Sequence, residues 1–294
     1  MPLTPPADIP TDPELVAALV AAQHPDLAAP LRLVSDGWDN QLYRLGDAHA
    51  VRIPRREAAA HLIEHEQQML PGIAARVRAT VPAPVRVGVP SELFPWPWSI
   101  VAWIDGVDGA SIGAADRAGI AEALAEFVGE LAVPAPEAPH NPVRGVPLAT
   151  RREVVATRLR SLSGRMEVAA LEQAWREALA APAWDGPPLL LHGDLHPGNL
   201  LLTLDGGLAA VIDFGDVTSG DPATDLATAW LTFDAEARER FRAALPVAPD
   251  RATWLRARGW AVTMASALAT SSDDNPRMAS LARHALDQLT AEAD

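Results

Sequence analysis

The sequence contains no cysteine, and all 24 of its basic residues are arginines. Without lysine it can form neither a Walker A phosphate loop nor a Schiff base, because both need a lysine amine. Without cysteine it can form no disulfide, no thiol nucleophile and no thiolate-bound metal site. It also lacks the G-x-S-x-G motif of serine hydrolases and the G-x-G-x-x-G motif of dinucleotide-binding folds. These absences exclude several large classes of enzyme.

Positive charge is scarce relative to negative charge, with 24 arginines against 38 acidic residues and a formal net charge of −14. That sign disfavours binding to nucleic acid or to an anionic membrane and favours a cationic small molecule. No uninterrupted apolar run of about 18 residues occurs, and the N-terminus lacks a basic segment followed by an apolar one. We therefore predict a cytoplasmic protein that binds neither nucleic acid nor membrane, with its oligomeric state left open.

Residue periodicity divides the chain into two parts. The first part reads as three strands, a helix and two further strands: Leu31–Asp36, Asn40–Gly46, His49–Pro54, Glu57 to about Arg78, "PAPVRVG" and "WSIVAWIDG". After Ala114 the pattern is mainly helical, interrupted by short apolar strands in "PLLLHG", "NLLLT" and "LAAVIDF". We predict an α+β protein with an antiparallel-sheet lobe at residues 1–105 and a mainly helical lobe at residues 106–294.

Oxygen-bearing side chains follow the short strands of the second part. Asp194 and Asn199 bracket the loop in "HGDLHPGNLL", and Asp213 follows the next strand in "VIDFGD". A hairpin would bring these three residues to one end of a small sheet. Carboxylate and amide oxygens suit Mg²⁺, and a carboxylate outside the metal shell can accept a proton from a hydroxyl. The pattern predicts a magnesium site beside a general base.

The spacing H-x-D-x-x-x-x-N followed by D-F-G resembles the catalytic and metal loops of protein-kinase-like enzymes. More closely, "GWDNQLYRLGDAHAVRIPRR", "LLLHGDLHPGNLLL" and "AVIDFGDVTSGDPATDLA" resemble the aminoglycoside phosphotransferase family of small-molecule kinases, over roughly residues 30–235. The resemblance implies a bilobal protein-kinase-like fold. It also implies transfer of the γ-phosphoryl of ATP or GTP, with Mg²⁺, to a hydroxyl of an aminoglycoside or macrolide antibiotic, or otherwise of a sugar or amino alcohol.

The same resemblance implies roles for individual residues. Asp194 corresponds to the base that orients the acceptor hydroxyl, Asn199 to a Mg²⁺ ligand, and Asp213 to the carboxylate that bridges the metal to the β- and γ-phosphates. Four further residues correspond to structural elements. His192 and His196 brace the catalytic loop, Asp221 caps a helix that begins at Pro222, and Asp225 braces the catalytic loop from that helix.

The missing lysine bears on how the phosphates are held. Protein kinases use a strand lysine paired with a helix glutamate for this purpose. In "HAVRIP" Arg52 stands at that position, and we predict Glu66 as its partner, with Glu64 as the alternative. If Arg52 does not serve, Arg55 or Arg56 is the next candidate.

The remaining nucleotide contacts are expected from the phosphate-covering loop and from the connection between the lobes. The loop "SDGWDNQ" has a single glycine, so we expect Ser35 or Asn40 side chains to assist its backbone amides. In "WSIVAWIDG" backbone groups from Ala102 to Ile104 would contact the purine edge. Neither segment distinguishes ATP from GTP.

Two other functions fit parts of the sequence. Loss of the strand lysine is compatible with a weakly active, nucleotide-binding pseudokinase, although Asp194, Asn199 and Asp213 are all present. Separately, "HLIEH" satisfies the H-x-x-E-H signature, in which His61 and His65 would bind Zn²⁺ and Glu64 would act as base. That short match does not account for the two motifs downstream of it.

Overall fold

The structure is a computed structural model that describes residues 6–272 and 274–291. The chain divides into two compact units. The first contains the described residues up to Ala75, together with Thr80–Asp105 and Asp213–Gly215. The second contains Arg76–Ala79, Gly106–Ile212 and the described residues from Asp216 onward. The short segment after Ile212 therefore belongs to the first unit, although its neighbours in sequence belong to the second.

The first unit is built on one antiparallel sheet. Its elements are α1 (Pro13–Gln23), β1 (Leu31–Asp36), β2 (Asn40–Leu45), β3 (His49–Pro54), α2 (Glu57–Ala74), β4 (Pro84–Gly88) and β5 (Trp98–Ala102). The strand order is β1-β2-β3-β5-β4, with every neighbouring pair antiparallel. The predicted meander of three strands is confirmed. The core of the unit packs apolar residues of α1 against Tyr43, Val51 and Trp98.

Helix α2 carries a polar residue on its buried face. Ile63 and Leu70 are fully or almost fully buried, and Glu66 lies between them at helical spacing, with 3% of its surface exposed. The helix ends at Ala74 instead of near Arg78 as predicted, because Pro71 inside it lacks an amide hydrogen and Gly72 weakens the helix further.

The second unit is mainly helical. Its helices are α3 (Ala114–Arg117), α4 (Ala121–Leu131), α5 (Arg152–Leu162), α6 (Ala169–Ala180), α7 (Ala223–Leu226), α8 (Thr228–Thr232), α9 (Ala235–Ala244), α10 (Arg251–Ser271) and α11 (Pro276–Ala291). Its strands are β6 (Val107–Asp108), β7 (Leu189–Leu191), β8 (Leu200–Leu202), β9 (Leu208–Val211) and β10 (Thr218–Gly220). A 3-10 turn containing Gly119 separates α3 from α4. Within the described ranges, no helix is both long enough and apolar enough to cross a bilayer.

The strands after the "HGDLHPGNLL" segment form a hairpin as predicted, because β8 and β9 pair antiparallel and bring Asn199 beside Ile212, but the strand before the segment pairs elsewhere. β7 pairs with β10, whereas β8 pairs with β9 and β6 in a separate sheet. The loop that contains Asp194 and Asn199 therefore joins strands of two sheets. The segment between β7 and β8 has eight residues, which is longer than a usual hairpin loop. They also include Gly193 at a φ of 87° and Pro197, which turn the chain away from a direct return.

Candidate functional site

Arg52, Glu66 and Asp213 lie together in the first unit. Arg52 projects from β3, and its Nε lies 2.8 Å from Glu66 Oε2, while its Nη2 lies 2.5 Å from Asp213 Oδ1. Glu66 contacts Arg52 because it lies on the buried face of α2, whereas the alternative partner Glu64 is exposed. Arg52 Nη1 makes no hydrogen bond to the described residues and remains available for an anion.

The three groups influence each other's charge. Burial alone would lower the pKa of Arg52, but the negative charges of Asp213 and Glu66 raise it above its ordinary value, so Arg52 stays protonated. Burial raises the pKa of Glu66 to about 7, although the attraction of Arg52 opposes that rise. The result is a fixed cation whose position is set by two carboxyl groups.

The backbone of Asp213 is unusual. Its φ of 63° is the only positive φ of a non-glycine residue in the described part of the chain. Aspartate tolerates this left-handed conformation better than most residues, but it is still uncommon and concentrates at functional positions. Phe214 follows and is completely buried, which anchors the segment in the first unit. The strained turn aims the Asp213 carboxylate at Arg52.

The loop between β1 and β2 is held by the two arginines that follow β3. Arg55 Nε lies 2.9 Å from Asp36 Oδ1, and Arg55 Nη1 donates to the carbonyl of Gly37 at 2.7 Å. Arg56 pairs with Asp39. Both arginines are thus engaged in fixing the loop, whereas Arg52 lies between Glu66 and Asp213 and its Nη1 makes no hydrogen bond to the described residues.

The other residues predicted for this loop make few contacts. Ser35 is exposed on β1, and its hydroxyl makes no hydrogen bond within the described chain. Asn40 leaves its buried Oδ1 without a donor among the described residues. Among the described residues, neither the Ser35 hydroxyl nor Asn40 Oδ1 has a hydrogen-bond partner.

The segment that follows β5 has a backbone group that faces away from β3. The amide of Trp103 donates to the carbonyl of Ala48, at 2.8 Å, on the β3 side. Since the carbonyl and the amide of one trans peptide group point in opposite directions, the Ala102 carbonyl points to the opposite side. β4 no longer covers that side, because its pairing with β5 ends at Val101. The Ala102 carbonyl is therefore a hydrogen-bond acceptor that β4 does not use.

In the second unit, Asp194 lies among positively charged and donor groups. Its Oδ1 lies 2.7 Å from Arg144 Nη2, and its Oδ2 lies 3.3 Å from His196 Nε2. His196 Nδ1 accepts from the amide of Gly198 at 3.0 Å, so its Nε2 carries the proton and donates to Asp194 even when the ring is neutral. Burial alone would raise the pKa of Asp194, but Arg144 and His196 hold it well below its usual range.

Asn199 is oriented by the same loop. Its Nδ2 donates to the backbone carbonyl of Asp194 at 2.8 Å, which commits the nitrogen and leaves Oδ1 as the ligand atom. The amide of Ile212 donates to the Asn199 carbonyl at 2.9 Å. Asn199 is 8% exposed. The structure thus brings Asp194 and Asn199 together, with the Asp194 carboxylate held by Arg144 and His196 and the Asn199 nitrogen turned to the Asp194 carbonyl.

Two buried side chains brace this loop. Asp225 accepts hydrogen bonds from the amides of His192 and Gly193, at 2.7 and 2.9 Å, as predicted. His192 Nδ1 accepts from the amide of Asp194, and its Nε2 contacts the Ile212 carbonyl at 2.9 Å. Position 193 requires glycine, because its φ is 87° and a Cβ there would lie 2.3 Å from the Asp216 carbonyl oxygen.

The sequence profile of the phosphotransferase enzyme family matches residues 30–260. The chain belongs to this family. A search of curated proteins found no significant match. The matched range includes all the candidate site residues named so far in this subsection, among them Arg52, Asp194 and Asp213.

Solved structures confirm the protein-kinase-like fold of this phosphotransferase. The GDP complex of wild-type aminoglycoside 2′-phosphotransferase-IIIa is 19% identical, with a TM-score of 0.69 over 96% of this chain and 100% of the other. Macrolide 2′-phosphotransferase MphH from Brachybacterium faecium is 22% identical, with a TM-score of 0.64 over 94% and 98% of the two chains. A streptomycin–ATP complex of APH(2″)-IIa is 18% identical, with a TM-score of 0.60 over 92% and 94%.

Sequence reasoning missed Arg144. This residue lies fifty positions before Asp194, in a proline-rich loop that no motif marks. The loop is fixed in the second unit by Asn141, which donates to Asp216 Oδ1 at 2.7 Å, and by Gly145, whose carbonyl accepts from the amide of Asp221 at 3.2 Å. A single arginine beside a glycine offered no signal that could have identified this contact.

The role of Asp221 differs from the predicted helix cap. Its Oδ1 does accept from the amide of Ala223 at 3.0 Å, but α7 begins after Pro222, and the dominant contact is a buried ion pair. Arg256 Nε lies 2.6 Å from Asp221 Oδ2, and both side chains are 5% exposed. The sequence pattern revealed the local turn and not the partner on α10.

Breaking this pair should strongly destabilise the phosphotransferase. Asp221→Ala would leave the Arg256 charge buried without a carboxylate, so we expect a loss of about 3–5 kcal/mol in the free energy of unfolding. Chemical denaturation of the variant and of wild type measures this difference in the free energy of unfolding. The matched control is Glu239→Ala, which removes an exposed ion pair with Arg242 and should cost less than about 1 kcal/mol. Equal effects of the two variants would contradict this account of Asp221.

The histidines of the H-x-x-E-H match lie one turn apart on α2. The rings of His61 and His65 meet edge to face, with centroids 5.2 Å apart. Burial and the neighbouring His61 lower the pKa of His65. In the described part of the chain, no third histidine or carboxylate joins them in a group that could hold a metal ion.

Proposed function

We propose that this protein transfers the γ-phosphoryl group of ATP or GTP, with Mg²⁺, to a hydroxyl group of a small molecule. The observation that carries the proposal is Asp194, a carboxylate kept ionised by Arg144 and His196 within the family's catalytic-loop motif. The ion-paired Arg52 supports it, because a fixed cation with a free donor edge suits the phosphates of a nucleotide.

On the donor side, Arg52 Nη1 would bind the nucleotide phosphates while Glu66 and Asp213 fix its guanidinium. The Ala102 carbonyl and the Ile104 amide would contact the purine, which both ATP and GTP contain. Ser35 and Asn40 would add polar contacts from the loop after β1. Arginine can take the place of the usual lysine here because its planar fork binds carboxylate and phosphate together.

On the acceptor side, Asp194 would accept a hydrogen bond from the substrate hydroxyl. As the new oxygen–phosphorus bond forms and the bond to the β-phosphate oxygen breaks, the hydroxyl proton would pass to Asp194. A carboxylate of low pKa is a weak base, but it suffices where the transition state is loose and the proton leaves late. His196 and Arg144 would keep the carboxylate ionised and aimed.

The donor atoms of Asn199 and Asp213 are of the kind that a magnesium ion prefers. One amide oxygen and one carboxylate, from Asn199 and Asp213, suit a hard ion whose other ligands are water and phosphate oxygens. Asn199 keeps Oδ1 free because its nitrogen is committed, and Asp213 keeps Oδ2 outside its pair with Arg52. Bound Mg²⁺ would neutralise negative charge on the phosphates during transfer.

The acceptor is argued from similar proteins and from the charge of the chain. Solved relatives include phosphotransferases named for aminoglycosides and for macrolides, and the net charge of −14 favours a cationic molecule at long range. These observations support an antibiotic acceptor, and with it a role in resistance, while sugars and amino alcohols offer the same hydroxyl chemistry. The fold alone does not select among them.

A nucleotide-consumption assay tests the proposal. Wild-type protein is offered ATP or GTP, with and without Mg²⁺, and a panel of aminoglycosides, macrolides, sugars, amino alcohols and hydroxy acids. Consumption that needs both an acceptor and Mg²⁺, and that disappears in Asp194→Asn, is the expected result. Binding of Mg·ATP without turnover of any panel member would favour the pseudokinase alternative instead.

Replacing Arg52 should weaken nucleotide binding. Arg52→Ala removes a charge-assisted contact worth about 1.5–3 kcal/mol, so we expect about a 10- to 100-fold rise in the dissociation constant for ATP. Arg52→Lys should fall between the alanine variant and wild type, because one ammonium cannot span Glu66, Asp213 and a phosphate as a fork does. Calorimetry with a non-hydrolysable ATP analogue measures the dissociation constants of both variants.

The control for this series is Arg32→Ala, which removes an exposed arginine from β1 of the same sheet. It should bind the analogue as wild type does. If Arg52→Ala retained full affinity, Arg55 and Arg56 would be tested next, although both are engaged with the loop after β1.

A further inference from the structure

Two histidines lie side by side on one face of helix α2, and the proposed function uses neither of them. His61 and His65 are four residues apart, and their ring centres are 5.2 Å apart with an angle of 81° between the ring planes. Two imidazole rings that share one metal ion, with each nitrogen at about 2.0–2.1 Å, also have their centres about 5 Å apart. The observed spacing of the two rings therefore matches that of a pair of metal ligands.

Helix α2 holds the pair rigidly and leaves one side of it open to solvent. Both histidines lie inside the helix, whose opposite face is buried through Ile63 and Leu70. His61 is exposed and His65 is half-buried, so an ion from solution can reach the pair. Because the helix fixes the separation of the two backbones, binding requires only that the His61 ring rotates to aim a nitrogen at the ion.

His65 already has the outer partner that metal-bound histidines usually have. One ring N–H of His65 donates to the backbone carbonyl of Gly215. Leu62, on the same side of α2, packs against that glycine, since a Cβ at position 215 would lie 3.3 Å from Leu62 Cβ. Histidines that bind metals commonly donate their second nitrogen to a carbonyl or a carboxylate, which fixes the tautomer. The other nitrogen of His65 is therefore left with its lone pair for an ion.

The surroundings of the pair suit a cation. Helix α2 carries three glutamates and no arginine, and one of them, Glu64, is exposed next to His65 and acts on it electrostatically. Burial and the neighbouring His61 lower the pKa of His65, so its ring is mainly neutral at pH 7, the form that binds metals. Imidazole nitrogen suits copper, nickel and zinc, whereas Mg²⁺ prefers oxygen.

We propose that His61 and His65 together bind a divalent transition metal ion, Cu²⁺, Ni²⁺ or Zn²⁺, on the exposed side of α2. One nitrogen of each ring would hold the ion. In the described part of the chain no third histidine or carboxylate joins the pair, so water would complete the coordination and the ion would exchange freely. This site differs in its ligand atoms from the one assigned to Mg²⁺, and it does not depend on the proposed function.

Metal titration by calorimetry tests the proposal. Each of the three ions is titrated into wild-type protein without a histidine tag or nucleotide, and with excess Mg²⁺ present to occupy oxygen sites. We expect one ion per chain, bound most tightly for Cu²⁺. His61→Gln and His65→Gln should each weaken binding by at least about 10- to 100-fold, the range known for loss of an outer partner alone. The matched control is His140→Gln, which removes an exposed histidine of the second unit and should change nothing.

Electron paramagnetic resonance of the Cu²⁺ complex counts the ligands directly. Nitrogen couplings from two imidazoles are expected in wild type, and from one at most in either variant. Absence of stoichiometric binding, or an equal affinity in wild type and His61→Gln, would overturn the proposal. So would a loss in His65→Gln alone, because that pattern would reflect its contact with Gly215 and not a shared ion. His61→Gln keeps the test decisive, since it alters an exposed side chain and should leave the melting temperature without metal unchanged.

Discussion

Asp194→Ala is expected to lower kcat by about 10²–10⁴-fold, the usual contribution of a positioned acid or base, while nucleotide affinity changes little. The reason is that Asp194 would orient the acceptor hydroxyl and receive its proton, whereas the nucleotide is assigned to Arg52, Asp213 and the backbone after β5. Steady-state kinetics in the acceptor-dependent assay measure kcat, and calorimetry with a non-hydrolysable analogue measures nucleotide affinity.

Asp194→Asn is the matched control, because it keeps the size of the side chain and removes only the charge. It should be nearly as slow as the alanine variant. Since Arg144 and His196 hold the pKa of Asp194 well below its usual range, this carboxylate stays ionised down to acid pH. Its protonation should therefore not reduce the wild-type rate between about pH 5 and pH 8. Near-normal turnover of Asp194→Ala would remove the residue from the mechanism.

The residues of the candidate site that sequence could identify are those fixed by local spacing. Asp194 and Asn199 are five positions apart in one loop, and Asn199 donates to the Asp194 carbonyl. The sequence motif and the structural contact therefore lie within the same short loop. Asp213 follows a short strand in a similarly local pattern. Motifs of this kind can be recognised in a sequence because a single turn of backbone determines their geometry.

One long-range contact could also be anticipated. Glu66 pairs with Arg52 across fourteen residues, and the prediction followed from helix periodicity, because Glu66 precedes Leu70 and Ile73 at helical steps, and the structure buries all three. A charged residue on the buried face of a helix needs a partner, and the neighbouring strand offered Arg52. Periodicity therefore distinguished Glu66 from Glu64, which lies on the exposed face.

The contacts that sequence could not reveal depend on tertiary packing. Arg144 reaches Asp194 only because its loop is tied to Asp216 and to the chain beside β10. Asp221 finds Arg256 on α10, thirty-five residues later. β7 pairs with β10 instead of β8, because a short apolar strand carries no mark of its partner. Each of these contacts joins segments that have no pattern in common.

Asp213→Ala is expected to abolish the Mg²⁺-dependent part of nucleotide binding. The variant loses the carboxylate assigned to the bridging ion, so its affinity for the ATP analogue should be the same with Mg²⁺ as with a chelator. Arg52 would also lose one of its two partners and be held by Glu66 alone. Calorimetry of the analogue at each metal condition measures the ratio of affinities, which should fall to about one.

The backbone of Asp213 determines the choice of control. Because its φ is 63°, alanine there also introduces about 1–2 kcal/mol of strain, whereas glycine adopts this conformation freely. Asp213→Gly therefore removes the carboxylate without the strain, and it should lose the Mg²⁺ dependence as completely as Asp213→Ala does. If the glycine variant instead kept Mg²⁺-dependent affinity, the loss in alanine would come from the strained turn, and the metal ligand would have to be sought elsewhere.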